Sequence, residues 1–172
     1  MKNFIRILFI LSGFIFSSCE VKVNTGNDKD SSAGSNSKSK IRNNIQLNAT
    51  GLKVEQAFLL LDDGTLVGDD NQVKVNDRVN LRLIISGWKE ENGYVFPDAD
   101  EKIITSEGDV LVDDKNLFAK YDSGILSKDA EYITLMATIT EVNKLFDYFL
   151  VSFRVWDKKG NGEVTGSYKL HL

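Results

Sequence analysis

Arg78-Val79-Asn80-Leu81-Arg82-Leu83-Ile84-Ile85-Ser86 is the stretch that decides the fold. Val79, Leu81, Leu83 and Ile85 fall on one side of an extended chain and Arg78, Asn80, Arg82 and Ser86 on the other, with Ile84 the one exception. Alternation with period two is the pattern of a half-buried β-strand. The same pattern recurs along the chain. Ile45, Leu47 and Ala49 alternate with polar neighbours; Ile133, Leu135, Ala137 and Ile139 do so within 131–140; Val164, Tyr168, Leu170 and Leu172 share one side of 164–172. In 147–156, Phe149, Val151, Phe153 and Val155 form one face, and Tyr148, Leu150 and Trp156 make the other apolar too, so this strand is expected at a sheet centre with Trp156 in the core. Val54–Leu61 is apolar but for Glu55 and Gln56 and stops at Asp62-Asp63-Gly64, which favours a strand over a helix. Weaker strand signals lie at 72–75, 94–96, 102–105 and 110–112.

These segments predict an all-β fold, an immunoglobulin-like antiparallel β-sandwich of about seven to nine strands occupying residues 45–172. The resemblance to the immunoglobulin class is one of architecture alone, since no Cys…Trp…Cys pattern is present. One or two short helical turns are expected, at 114–121 and at 128–131 behind Ser127. Both fall in a long crossing between Val112 and Tyr132, such as a Greek key needs to pass from sheet to sheet.

The amino-terminal end reads differently. Lys2 and Arg6 precede an apolar run from Ile7 to Phe16, broken only by Ser12 and Gly13, and the run ends in Ser17-Ser18-Cys19. A basic head, an apolar middle of roughly ten residues and a small-residue exit mark a secretory signal peptide, here residues 1–18. Phe16-Ser17-Ser18-Cys19 resembles the lipobox of bacterial lipoproteins, with Phe16 where that family usually has Leu. The resemblance implies that Cys19, the only cysteine, carries a diacylglyceryl group and becomes an acylated amino terminus (palmitate in the membrane). Glu20 stands where the family's inner-membrane retention signal has Asp, which implies an outer-membrane address in the cell envelope. An ordinary signal peptide beside a stray thiol is the alternative. Residues 19–44, rich in Ser, Asn, Lys and Gly, cannot bury enough apolar surface to offset the entropy of ordering them, and predict a flexible linker.

Charge narrows the partners. The chain has 21 basic and 25 acidic residues. Within 45–172 the counts are 14 and 22, a net of −8. So acidic a body argues against nucleic acid, whose phosphates need clustered Lys and Arg, and leaves membrane contact to the lipid anchor. Nucleophilic catalysis is poorly supplied: the single histidine, His171, stands next to the carboxyl terminus, and no Gly-x-Ser-x-Gly turn occurs.

Carboxylates are abundant in stretches that read as turns. Asp62, Asp63, Asp69 and Asp70, flanking Gly64 and Gly68, are candidate Ca²⁺ ligands, because hard cations want several carboxylates from one loop; the same residue types also serve turns for backbone reasons alone. Asp98, Asp100 and Glu101 form a second cluster, and Asp109, Asp113 and Asp114 a third. Asp157–Glu163 faintly resembles an EF-hand loop but has Lys159 where a ligand belongs, so it reads as a hairpin loop. Trp88, Tyr94 and Phe96, in or beside the loop 87–98, are candidate ligand-binding residues, since exposed aromatic faces suit sugars and peptides; the competing reading has Trp88 and Phe96 closing the end of the core. The sequence thus points to a membrane-anchored lipoprotein with a non-catalytic binding domain for an unknown protein or glycan, working at a loop end that carries 62–71 and 87–101. A carboxylate enzyme acting on glycans and a Ca²⁺-stabilised structural module are the alternatives.

Overall fold

The computed structural model describes residues 40–140 and 144–172. The signal peptide 1–18, Cys19 and the linker through Ser39 lie outside the described residues. Eleven strands follow in order: β1 (Lys40–Ile41), β2 (Gln46–Thr50), β3 (Lys53–Leu61), β4 (Arg78–Ser86), β5 (Tyr94–Val95), β6 (Pro97–Thr105), β7 (Val110–Asp114), β8 (Ile125–Leu126), β9 (Tyr132–Thr138), β10 (Phe149–Asp157) and β11 (Glu163–Leu170). Two sheets run in the orders β1-β3-β4-β9 and β2-β11-β10-β6-β7, and β5 pairs β8 in a small separate ribbon. Between these strands all pairings are antiparallel except β1 with β3.

The sheets pack face to face through the residues that alternation assigned inward. Val79, Leu81, Leu83 and Ile85 of β4 meet Val151, Phe153 and Val155 of β10 and Val164, Tyr168 and Leu170 of β11 in one core. Each central aliphatic side chain so enclosed contributes about 1.5–3 kcal/mol. Lettered in the immunoglobulin manner, β3, β4 and β9 stand as A, B and E, and β6, β7, β10 and β11 as C, C′, F and G. The fold is an all-β, immunoglobulin-like sandwich, with β1 and β2 added at the flank of each sheet.

Several local expectations are corrected. The linker does not run to Asn44: Lys40–Ile41 already pairs with Gln56–Ala57, Arg42 N–H donates to the Ala57 carbonyl at 2.9 Å, and Asn43 is buried. At 72–75 there is only a single parallel bridge, Gln72 to His171, with Val73 N–H donating to the His171 carbonyl at 2.8 Å, followed by a turn with Asn76 at φ 71° and Lys74 N–H donating to Asp77. The helix expected at 114–121 is a single 3₁₀ turn at Ala119–Tyr121, and a second turn, Ser127–Asp129, has no side-chain cap. Trp156 is half-buried on the outer face of its sheet under the Arg154 guanidinium, 4.7 Å from the ring centre. The largest difference is at 97–101. Pro-Asp-Ala-Asp-Glu is the first half of β6, with Pro97 at the strand start, where its missing N–H is tolerated.

Candidate functional site

The loops 62–71 and 87–96 do not share an end of the sandwich. β3 and β4 are antiparallel, so the loop leaving β3 at Leu61 and the loop leaving β4 at Ser86 open at opposite ends. The four candidate Ca²⁺ ligands are each engaged separately. Asp62 accepts from Asn80 at 3.0 Å and lies 3.4 Å from Arg78. Asp63 accepts the Thr65 N–H at 2.8 Å, which holds its carboxyl below the usual range. Asp69 pairs with Arg42, and Asp70 accepts the Gln72 N–H. Among the described residues no three carboxylate, imidazole or thiol side chains converge on a metal position. With those oxygens committed to turns and ion pairs, millimolar Ca²⁺ is expected to shift the melting temperature by less than about 1 °C; a rise of several degrees on calorimetry would restore the metal reading.

Trp88, Tyr94 and Phe96 do not form one surface either. Trp88 packs on the core and its Nε1–H donates to the Ala130 carbonyl at 3.1 Å. Phe96 is half-buried with Lys159 Nζ 5.1 Å from its ring centre. Tyr94 is exposed on the β5–β8 ribbon.

The aromatic side chains that do converge lie in the crossing 115–131. This segment is held against β6 by the acidic residues of that strand. Asp98, buried, accepts the Ala99 N–H at 2.8 Å and the Phe118 N–H at 3.1 Å; Asp100 accepts the Asn116 N–H at 3.1 Å; Leu117 N–H donates to the Ala99 carbonyl. Lys158 Nζ clamps Asp122 at 2.7 Å. Gly124, at φ 85°, lets the chain pass so close to Phe96 that a Cβ would sit 2.9 Å from the ring. The carboxylates of 98–100 therefore cap backbone donors of the crossing.

Between this strapped crossing and the start of β9 lies a groove of about 340 Å³, within the usual range for ligand sites of roughly 300–1,000 Å³. Phe118 and Tyr121, edge to face at 6.3 Å, form one wall with Ile125; Pro97 and Ile133 form the floor, and Tyr132, 51% exposed, the other wall. Asp129 stands on the rim, and no hydrogen bond or ion pair among the described residues engages its carboxylate. An apolar slot with one free carboxylate suits a ligand with an apolar body and a cationic or hydroxylated edge. The sequence signal was present: three aromatics fall in fifteen residues from Phe118 to Tyr132. Nothing in the spacing tells that the crossing folds back beside β9.

One carboxylate is chemically unusual. Glu101 lies on the inward side of β6, opposite Phe153 of β10 and Asp114 of β7, and is 4% exposed. Burial, then the negative charge of Asp114, raises its pKa from 4.5 to about 7. Its Oε1 and the Tyr168 hydroxyl are buried with no hydrogen-bond partner among the described residues, and burial holds the Tyr168 pKa well above 10. A pKa near neutrality is what a general acid requires, and Glu101 borders a shallow hollow of about 210 Å³ together with Asp100, Lys115 and Arg154. At the opposite end, a hollow of about 310 Å³ is lined by Asp69, Asp70 and His171; His171 Nδ1 is 2.8 Å from the Asp147 carbonyl.

The fold and the groove together define a sandwich with a lateral cleft. No protein-family model matches the sequence, and no curated protein matches it.

Proposed function

We propose that this chain is an exported lipoprotein, fastened by acyl chains on Cys19, whose sandwich is a non-catalytic binding module working through the groove between the crossing and β9. The anchor rests on the ordered features of the first nineteen residues: basic head, apolar middle, Ser17-Ser18-Cys19 exit. Two or more acyl chains make such attachment lasting, where one is marginal. Glu20 supports an outer-membrane address, and the acidic body supports a protein or glycan partner over nucleic acid.

The observation that carries the binding reading is the groove itself, three aromatic side chains and an unengaged Asp129 held open by a strap of hydrogen bonds from β6. Palmitate labelling of cells tests the anchor: wild type takes up label and Cys19→Ser does not, whereas equal label in both removes the assignment. Glycan arrays and displayed peptide libraries test the groove. Replacing Tyr121 and Tyr132 together by serine is expected to weaken whatever binds at least tenfold, with a modest change in melting because both residues are about half exposed. Undiminished binding would move the site elsewhere.

A further inference from the structure

Four strands lie at sheet margins, and three of them are blunted. β1 is two residues long. β7 ends in Asp113 and Asp114 and pairs β6 through an irregular register at Ile103/Ile104. β2, Gln46-Leu47-Asn48-Ala49-Thr50, is uncharged but only five residues long, and the ladder beyond it shrinks to the single bridge of Gly51 to Glu163. β9 differs. Tyr132-Ile133-Thr134-Leu135-Met136-Ala137-Thr138 has no charge and no proline, and its pairing with β4 runs without a bulge. Short length, charge and bulges are the devices by which native sheets keep edges from pairing with other chains, and β9 has none of them.

The backbone on that margin is also free. Ile85 N–H donates to the Glu131 carbonyl at 3.0 Å, which fixes the phase of the β4–β9 ladder. Residues 131, 133, 135 and 137 turn their N–H and C=O groups to β4, and Tyr132, Thr134 and Met136 turn theirs outward. Among the described residues nothing bonds to those outward groups. Tyr132 is 51% and Met136 52% exposed. The groove lies along the same margin and shares Tyr132, Ile133 and Thr134 with it.

We propose that β9 receives an extended segment of another protein as a fifth strand of the first sheet, with an apolar side chain of that segment seated in the groove and a Lys or Arg meeting Asp129. The proposal rests on the binding reading of the same groove and names its partner class. Only an extended chain offers donors and acceptors at the two-residue spacing of Tyr132, Thr134 and Met136. Side chains of an added strand alternate between the outer sheet face and the gap between the sheets, where the groove lies. The basic preference follows from the unengaged Asp129 and from the net −8 of residues 45–172, which disfavours a second copy of this chain.

The test uses the full chain in detergent, panned with a displayed library of random dodecamers, and the selected peptides made synthetically. Selected sequences are expected to alternate apolar and polar residues and to carry a basic residue. The Thr134 and Met136 amides are expected to exchange at least tenfold more slowly with peptide bound. N-methylation of alternate peptide residues in the register facing β9 should abolish binding, while the other register leaves it intact. Thr134→Pro should also abolish it, sparing the fold because that N–H points away from β4. Asp129→Asn should weaken the basic peptide about fivefold to tenfold and a Lys→Ala peptide hardly at all. Several results would overturn the proposal: no selected peptide, peptides indifferent to N-methylation, or the same amides protected by concentration-dependent dimerisation without peptide. If glycans or other ligands still depend on Tyr121 and Tyr132, the groove reading stands and only strand addition falls. If nothing depends on those tyrosines, both fall.

Discussion

Asn43→Ala is expected to lower the stability of the domain by about 3–4 kcal/mol, a shift of roughly 10 °C or more in melting temperature for a body of this size. Asn43 is 2% exposed and its side chain is used completely. Its Nδ2 is shared among the Val67 carbonyl at 3.1 Å, the Gly68 carbonyl at 3.0 Å and Asn71 Oδ1 at 3.0 Å. Its Oδ1 accepts the Leu59 N–H at 3.0 Å. Asn71 reciprocates, donating to the carbonyls of Asn43 and Lys169 at 2.9 and 2.8 Å. The pair thus stitches the residues after β1, the 62–71 loop, β3 and β11 together. Truncation leaves several buried groups unpaired, each worth about 1–3 kcal/mol and not additive. Asn43 also sits at φ 57°, where alanine is strained. Asn43→Gly relieves that strain but not the lost bonds, so it should recover at most about 1 kcal/mol. A fragment beginning at Ile45 should show a loss at least as large, since it also lacks Ile41 and the Arg42–Ala57 bond. Urea unfolding of the three variants measures this; a loss under about 1 kcal/mol for Asn43→Ala would show that the stitch is redundant.

The second large effect concerns Glu101 and has a definite sign. Its folded pKa of about 7 lies above the value of 4.5 expected of an unfolded chain, so the folded state holds the proton more tightly. The stability this contributes is fully present below about pH 4.5 and is lost as pH rises through 7, by about 3 kcal/mol across the window. Glutamine has nearly the same shape and no charge. Glu101→Gln should therefore melt close to wild type at pH 5 and well above it at pH 8.5, the gap opening around neutrality. The difference between the two proteins cancels the titration of every other group. A gap equal at both pH values would mean that Glu101 does not titrate between them.

The strands written in alternating apolar residues were legible, because burying one face of a sheet leaves period two in the chain: 78–86 stands as β4 to the residue. What hid was everything whose reason is not burial of apolar surface. The run 97–101 reads as a turn, since Pro and Asp are turn residues, yet it is a strand whose aspartates satisfy donors arriving from a segment about twenty residues on. Lys40–Asn44 reads as linker because its one decisive residue is an asparagine, and an asparagine used as a buried stitch is spelled like one left in solvent. The groove hid for the same reason. Phe118, Tyr121 and Tyr132 are adjacent only after the crossing has folded back beside β9, a long-range fact with no local period.

The order β1-β3-β4-β9 has a mechanical consequence. Three inter-strand spacings, about 14 Å, separate the margin where the leading segment joins the sheet from the margin left open. A pull applied at Lys40 is taken by two residues of parallel pairing and then by the asparagine stitch just beyond them. β9 bears none of it directly. Force entering at Lys40 and the open margin of β9 thus fall on opposite flanks of the sheet.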